Sequence, residues 1–338
     1  MTMPQLPPQF QVLQMMMGHW VGQVTATVAQ LGVPDQIAKG VHGSDELARA
    51  CGANPDAMFR LLRAATSVGV LAQPEPRRFA LTPLSECLRS DVAGSLRDLV
   101  IAELAPGHWL PWGHLADAVR SGKPVLEAAL GCNIWEYYAK NTDEGTGFAR
   151  GMGNLSTMVA GEVVGAFDFA HFGEIVDVGG SQGALLAAIL RATPAAKGVL
   201  FDLPEVIAAG QKTVAGYGLG DRLRTMSGDF FGELPKGADA YLMKSVLHDW
   251  DDAKCQIILS AARRAAKPTS RLVLVEMLVS DSPMATPINL MDLNMLVLLG
   301  GRERTADEFA KLLGGAGWKI ERVVPTLGLF AIIEASLA

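Results

Sequence analysis

The sequence predicts an α/β chain: a doubly wound, mostly parallel sheet in the C-terminal part, preceded by a smaller helical region with a winged-helix pattern. Three observations predict it. From Ile175 onward, short β-branched runs alternate with helix-forming stretches, the order that builds a parallel sheet covered on both faces. The first such run, in EIVDVGGSQG (Glu174 to Gly183), passes through a glycine-rich turn straight into ALLAAILRA, so backbone amides and a helix N-terminus face any ligand bound there. At 338 residues the chain is long enough for two domains with separate cores, divided at 1–105 and 106–338.

Composition narrows the function. Net charge is -6 with a pI near 5.6 and no long basic run, which argues against nucleic acid or an anionic membrane as the main partner and for a small molecule. Cys51, Cys87, Cys132 and Cys255 show neither CxxC nor zinc spacing, the usage of a reducing compartment. The start, MTMPQLPPQF, lacks the basic and apolar parts of a signal peptide, and no apolar stretch has membrane-spanning length. A cytoplasmic protein is expected.

In chain order, Phe10 to Leu31 is a Met-rich apolar segment, too continuous for a one-faced surface helix, and ends at Val33-Pro34. It serves either as an intrachain core helix or as a dimer interface. Ser44 is placed to cap SDELARACG, and Asn54-Pro55 to start DAMFRLLRAATSVGVL. Val70-Leu71, a turn around Pro74 to Pro76, and Phe79 to Leu81 then form the wing. A winged helix raises a DNA-binding regulator as a rival. Against it, Arg49, Arg60, Arg63, Arg77, Arg78 and Arg89 are balanced by six acids, whereas a DNA-reading face is net basic. Leu96 to Ala170 is helical, broken at Pro106-Gly107, Pro111 and Gly122 to Pro124. Its dense aromatic and Met residues, Phe148 and Met152 among them, suit the walls of a pocket for a flat organic molecule.

The sheet strands are expected at Val176, Gly198–Phe201, Leu223–Ser227, Ala240–Leu242 and Arg271–Val275, with a terminal hairpin in WKIERVVPTLGLFAIIEAS. Polar residues fall at the C-terminal strand ends, where open α/β sheets bind ligands. Asp202 ends the second strand, placed to accept ribose hydroxyls. Asp229 and Phe230, in GDFF, are placed to hold and cover an adenine. Lys244 ends the fourth strand before SVLHDWDD, and Glu276 ends the fifth. Three ligands compete for the glycine turn. The dinucleotide pattern fails at Ser181 and Ala184. Gly179-Gly180-Ser181-Gln182-Gly183 also spells a nucleophile elbow, for which Ser181, Asp202 and His248 formally supply a hydrolase triad. The third pattern is an acidic residue followed by spaced glycines: Asp177, Gly179, Gly183, with Ser181 in place of the middle glycine.

That third pattern resembles motif I of class I S-adenosylmethionine (SAM) dependent methyltransferases, a Rossmann-like fold. The set DVGGSQG, FDLP, GDFF, LMKSVLHDWDD, LVEM and GGRERT, in this order, resembles the caffeic acid and hydroxyindole type O-methyltransferases and their bacterial antibiotic-tailoring relatives. The likeness covers nearly the whole chain, including the helical dimerisation domain, so it implies a homodimer. It implies that SAM is bound by Ser156, Gly179, Asp202, Leu203, Gly228, Asp229, Phe230 and Lys244, leaving S-adenosylhomocysteine as product. It implies that His248 is the general base, flanked by Glu276 and Glu303, and that Phe148 and Met152 line the substrate pocket. Leu155 departs from the histidine that plant members can carry there, so plant phenolic specificity does not follow. Some relatives methylate nitrogen or transfer no methyl at all.

The chemistry agrees with this resemblance. A neutral imidazole near its unperturbed pKa of about 6.5 takes a phenol proton at pH 7 as the oxygen attacks the sulfonium methyl. No metal is expected, since no His, Cys or carboxylate cluster has ligand spacing. Thr305 begins a TADE capping box, which places Glu303 in the loop just before a helix. Asn289 and Asp292, three apart on a helix begun by Thr286-Pro287, either contact substrate or make a structural hydrogen bond.

Overall fold

The computed structural model describes residues 7–280, 282 and 286–338. The chain forms two compact units, each built from two stretches: the part up to Trp109 with Trp135–Leu155, and Leu110–Ile134 with Ser156–Ala338. A single cut near residue 105 does not describe this interleaving. Trp135–Leu155 returns to the first unit, where Asn154 Nδ2 donates to Ser95 O at 2.9 Å and Arg150 Nε to Asp98 Oδ2 at 2.8 Å. Gly151 lies there so close to the Leu99 backbone that no Cβ would fit.

In the first unit the Met-rich segment is two helices, Pro8–Met16 and Gly18–Gln30, interrupted at Met17 before the helix-weakening Gly18. Only the second contributes to the core, through Val28 and Ala29 against Leu47, Met58, Leu62 and Phe79. The first buries no side chain. Helix Ser44–Ala50 begins one residue earlier than a Ser44 cap requires. Gly43 is the N-cap, and its N–H donates to Glu46 Oε2 at 3.2 Å, while Ser44 is buried in the first turn. Asn54 caps Pro55–Ser67 as expected, accepting from Ala57 N–H at 3.1 Å. Strands β1 (Leu71–Glu75) and β2 (Arg78–Leu81) form the wing. Their turn lies at Pro76-Arg77, one step beyond the predicted position. Pro74 is tolerated inside β1 because the pairing is irregular between Ala72 and Glu75.

The second unit carries a seven-stranded sheet: β3 (Glu174–Val178), β4 (Lys197–Asp202), β5 (Leu223–Ser227), β6 (Ala240–Lys244), β7 (Arg271–Met277), β8 (Trp318–Pro325) and β9 (Phe330–Leu337). The order is β5-β4-β3-β6-β7-β9-β8. The first five strands are parallel, and the β8–β9 hairpin is added antiparallel on β7. The strand order reverses between β3 and β6, so their C-terminal ends open the crevice where such sheets take ligands. β6 and β7 run two residues further than predicted, which carries Lys244 and Glu276 on the strands themselves. The core is tight: Gly198 has no space for a Cβ beside Leu186, and buried Trp318 donates from Nε1 to Leu259 O at 3.1 Å. Among the described residues no helix is long and apolar enough to cross a membrane.

Candidate active site

The glycine turn follows β3 directly. Gly179, Ser181 and Gly183 all have positive φ, at 70°, 54° and 74°. Ser181 tolerates this left-handed backbone because its N–H donates to Asp202 Oδ2 at 2.8 Å. A Cβ on Gly179 would press on Val246 at 3.1 Å, and one on Gly180 would collide with the Asp177 carboxylate, so the turn requires glycine at both places. Asp202 also accepts from Leu203 N–H at 2.7 Å through Oδ1, which leaves each carboxylate oxygen a free lone pair. Burial raises its pKa, opposed by those two amides. Gly228 N–H donates to Asp202 O at 2.9 Å, so the ends of β4 and β5 are tied together. Asp229 is exposed, and its Oδ1 accepts from Phe231 N–H at 2.8 Å. Phe230, Phe231 and Trp250 make an aromatic corner, with ring centroids 4.9 to 6.2 Å apart. Exposed Leu203 adds an apolar surface.

At the ends of β6 and β7 the structure assembles an acid-rich centre. Ser245, at φ 53°, turns the chain sharply after Lys244 into the Leu247–Asp249 turn. His248 Nδ1 lies 2.8 Å from Glu303 Oε1, and His248 Nε2 lies 3.3 Å from Asp249 Oδ1. Glu276 does not bond the imidazole. Its Oε1 accepts from Val246 N–H at 3.3 Å and Leu247 N–H at 3.1 Å, so it holds the turn that carries the histidine. Glu276 Oε2 and Glu303 Oε2 are buried with no hydrogen-bond partner, as is Asp177 Oδ2. Asp292 Oδ1 accepts from Glu303 N–H at 2.9 Å, and Asn289 is exposed.

The charges set the proton affinities. Burial alone would lower the His248 pKa, but the Glu303 hydrogen bond and the charges of Asp249, Glu276 and Glu303 outweigh it and raise it to about 9. The expectation of an imidazole near its ordinary pKa is thus corrected, because three carboxylates converge on it. Burial pushes Glu276 up to about 7 against the pull of His248, and Asp177 up to about 7 against the pull of Lys244. Burial lowers the Lys244 pKa, opposed by Glu276, Asp177 and Asp249.

The premise that no ligand cluster exists is also corrected. His248, Glu276 and Glu303 each offer an atom within 4.8 Å of the others, a metal-capable set that separations of 28 and 27 residues conceal. The hydrolase triad is not assembled, for His248 pairs with Glu303, and Asp202 is engaged by Ser181 and Leu203 amides. Of the remaining predicted positions, Ser156 is half-buried on helix Thr142–Ala166 in the second unit. Phe148 and Met152 belong to the first unit, where the Phe148 ring lies 5.6 Å from Tyr138 and 5.0 Å from His108. Sequence reasoning missed Arg304. It reads as one more loop charge in GGRERT, yet it is 1% exposed.

Residues 112–319 match the O-methyltransferase domain, and residues 13–91 match the O-methyltransferase dimerisation domain. The chain is 38% identical to phenazine O-methyltransferase PhzM of Lysobacter antibioticus, over 96% of this chain and 95% of the relative. It is 37% identical to mitomycin biosynthesis 6-O-methyltransferase of Streptomyces lavendulae, over 93% and 90%. It is also 33% identical to 8-amino-8-demethylriboflavin N,N-dimethyltransferase of Streptomyces davaonensis, over 93% and 91%. Among solved structures, LaPhzM superposes with a TM-score of 0.92 at 38% identity, covering 98% of this chain and 100% of the other. Human N-acetylserotonin methyltransferase in complex with SAM superposes with 0.90 at 26%, covering both chains fully. With a doubly wound sheet, a glycine cradle at its switch point and both domain matches in sequence order, the chain belongs to the SAM-dependent O-methyltransferase family.

Proposed function

We propose that this protein moves a methyl group from SAM to a hydroxyl of an aromatic or polyketide-like small molecule, with His248 as general base. The observation that carries the proposal is the His248 Nδ1 to Glu303 Oε1 contact of 2.8 Å at the end of β6, next to the glycine cradle. A base held by a buried carboxylate through Nδ1 works through Nε2, where Asp249 Oδ1 at 3.3 Å gives way to the substrate hydroxyl. SAM supplies an electrophilic methyl on a cationic sulfur. The residues present fit it: Gly179 gives close backbone approach, Asp202 keeps lone pairs for ribose hydroxyls, and Phe230 with Leu203 offers apolar cover for adenine. Gly228, Asp229, Lys244 and Ser156 complete the assigned binding set, and Phe148 and Met152 the substrate set. Asn289 and Asp292 complete the substrate set, Asp292 also holding the Glu303 loop through its Oδ1.

In the reaction His248 Nε2 would take the hydroxyl proton as the oxygen–methyl bond forms and the methyl–sulfur bond breaks, S-adenosylhomocysteine leaving, and Glu303, Asp249 and Glu276 would stabilise the resulting imidazolium. Relatives that methylate oxygen support an oxygen acceptor. The riboflavin relative, named an N,N-dimethyltransferase, supports keeping an arylamine acceptor as the second reading. The regulator reading is disfavoured by the wing. Arg77 is paired with Asp45 at 2.6 Å, and Arg89 with Glu86 at 2.8 Å and Asp91 at 2.9 Å. A homodimer, no metal and a cytoplasmic location complete the reading.

The test is turnover of methyl-labelled SAM with a panel of hydroxylated and aminated aromatics, read by mass spectrometry. His248→Ala is expected to slow transfer roughly 10²- to 10⁴-fold while S-adenosylhomocysteine affinity barely changes. Full activity in His248→Ala at neutral pH, with Ser181→Ala inactive, would reverse the assignment in favour of a hydrolase.

A further inference from the structure

Arg304 is a fully buried guanidinium whose five N–H donors all have acceptors. Nε and Nη2 donate to Asp252 Oδ1 at 3.0 and 2.8 Å, Nη1 to Leu247 O at 3.0 Å and Arg302 O at 3.4 Å, and Nη2 also to Trp250 O at 2.9 Å. Leu247 and Trp250 bracket His248 and Asp249. From the same loop, Arg302 N–H donates to His248 O at 2.8 Å, and a Cβ at Gly301 would run into that carbonyl oxygen. The backbone of Arg304 is itself fixed: it bridges Leu278, just past β7, and its carbonyl accepts from Val279 N–H at 3.1 Å. Glu303, which bonds the imidazole, is its neighbour. One short segment thus grips the histidine turn through the main chain and the histidine ring through a carboxylate.

We propose that Arg304 is a positioning residue for the His248 centre: its planar fork fixes the backbone on both sides of the histidine and so holds the imidazole against Glu303. Burying a charge this deeply is unfavourable unless every donor is satisfied. Its acidic partner among the described residues, Asp252, is largely exposed, and the other acceptors are main-chain carbonyls. Those carbonyls need the geometry of the fork more than its charge. A lysine, with three donors on a single atom, cannot span Leu247 O, Trp250 O and Asp252 together.

The kinetic arm of the test rests on the methyl-transfer reading; the spectroscopic arm does not. In protein labelled with ¹⁵N-histidine, the His248 ring signals are identified by their loss in His248→Ala. Arg304→Lys is expected to lower the ring pKa from about 9 toward its ordinary value of 6.5, because the Glu303 contact loosens. Asp252→Asn, at an exposed position, is expected to give a smaller shift in the same direction, and decides the matter if Arg304→Lys does not fold. In kinetics, Arg304→Lys is expected to lower kcat by up to about 100-fold when each enzyme is compared above its own ring pKa, where the imidazole is neutral in both, as a misplaced catalytic group does. SAM KM should be unchanged, and no further loss should appear in the His248→Ala background. An unchanged ring titration in folded variants, or losses that multiply in the double variant, would overturn the proposal. Absence of any wild-type turnover would instead strike the methyl-transfer reading and leave the titration arm intact.

Discussion

Because Glu303, Asp249 and Glu276 all favour the protonated imidazole, His248 carries its proton at pH 7 in the free protein. The base form grows in only as pH approaches about 9, so kcat/KM, which reports free-enzyme groups, is expected to rise along a limb near that value. A flat profile from pH 6 to 9 with a phenol that stays protonated over that range would exclude a base titrating there. Stability follows with a definite sign. A histidine raised from 6.5 to about 9 contributes stability that is full below 6.5 and is lost as pH rises through about 9. Glu276, raised from 4.5 to about 7, and Asp177, raised from 3.8 to about 7, bind more protons folded than unfolded in those windows, and so also lose stability as pH rises through them. Calorimetry between pH 5.5 and 9 should therefore show a falling Tm, and a rising one would contradict these three shifts acting together. Ser181 gives a separate expectation. A non-glycine residue at φ 54° stores strain of about 1–2 kcal/mol, so Ser181→Gly is expected to be neutral or slightly stabilising by chemical denaturation, with methyl transfer retained.

At the scale of elements, the parallel strands were legible because β-branched runs need no partner to be recognised, and Asn54 and Thr305 announced their helices by the hydrogen bonds a cap must make. What stayed illegible depends on non-local pairing. Nothing near position 303 says that its carboxylate meets a histidine 55 residues earlier, and nothing near 304 says that the guanidinium is enclosed. Ser44 misled because the N-cap is Gly43, whose own N–H is held by Glu46 three residues on, and Ser44 lies one position inside the helix. Met17 was missed because the apolar pattern continues through the break. That break refines a prediction about assembly. Helix Pro8–Met16 exposes Phe10, Val12, Leu13, Met15 and Met16 and buries none, whereas Val28 and Ala29 belong to the unit's own core. Deletion through Met17 is expected to convert dimer to monomer, by light scattering, with the unit still folded. A stable dimer after that deletion would place the interface elsewhere, while deletion through Leu31 should unfold the unit.

For the whole molecule, a ligand that binds only the native state stabilises it by mass action, by about 2.7 kcal/mol at a hundredfold excess over Kd, and so raises Tm. SAM and S-adenosylhomocysteine are each expected to do so, and NAD is not. A shift with NAD alone would end the methyltransferase reading. Turnover is expected to survive EDTA, because proton removal by an imidazole and attack on a sulfonium methyl need no metal ion. Loss in chelator with recovery on adding magnesium would show that the three-residue set holds a working ion.

The strand order has a further consequence in time. β7 is an apolar strand, buried from Leu272 to Met277, and its outer edge is covered by β9, whose first residue lies 53 positions later. At a synthesis rate of about 5–20 residues per second, that edge waits roughly 3–10 s for its partner. During that interval a nascent chain presents an unpaired, aggregation-prone ladder at the strand that also carries Glu276. Slower growth temperature should then act at the ribosome rather than on the finished fold.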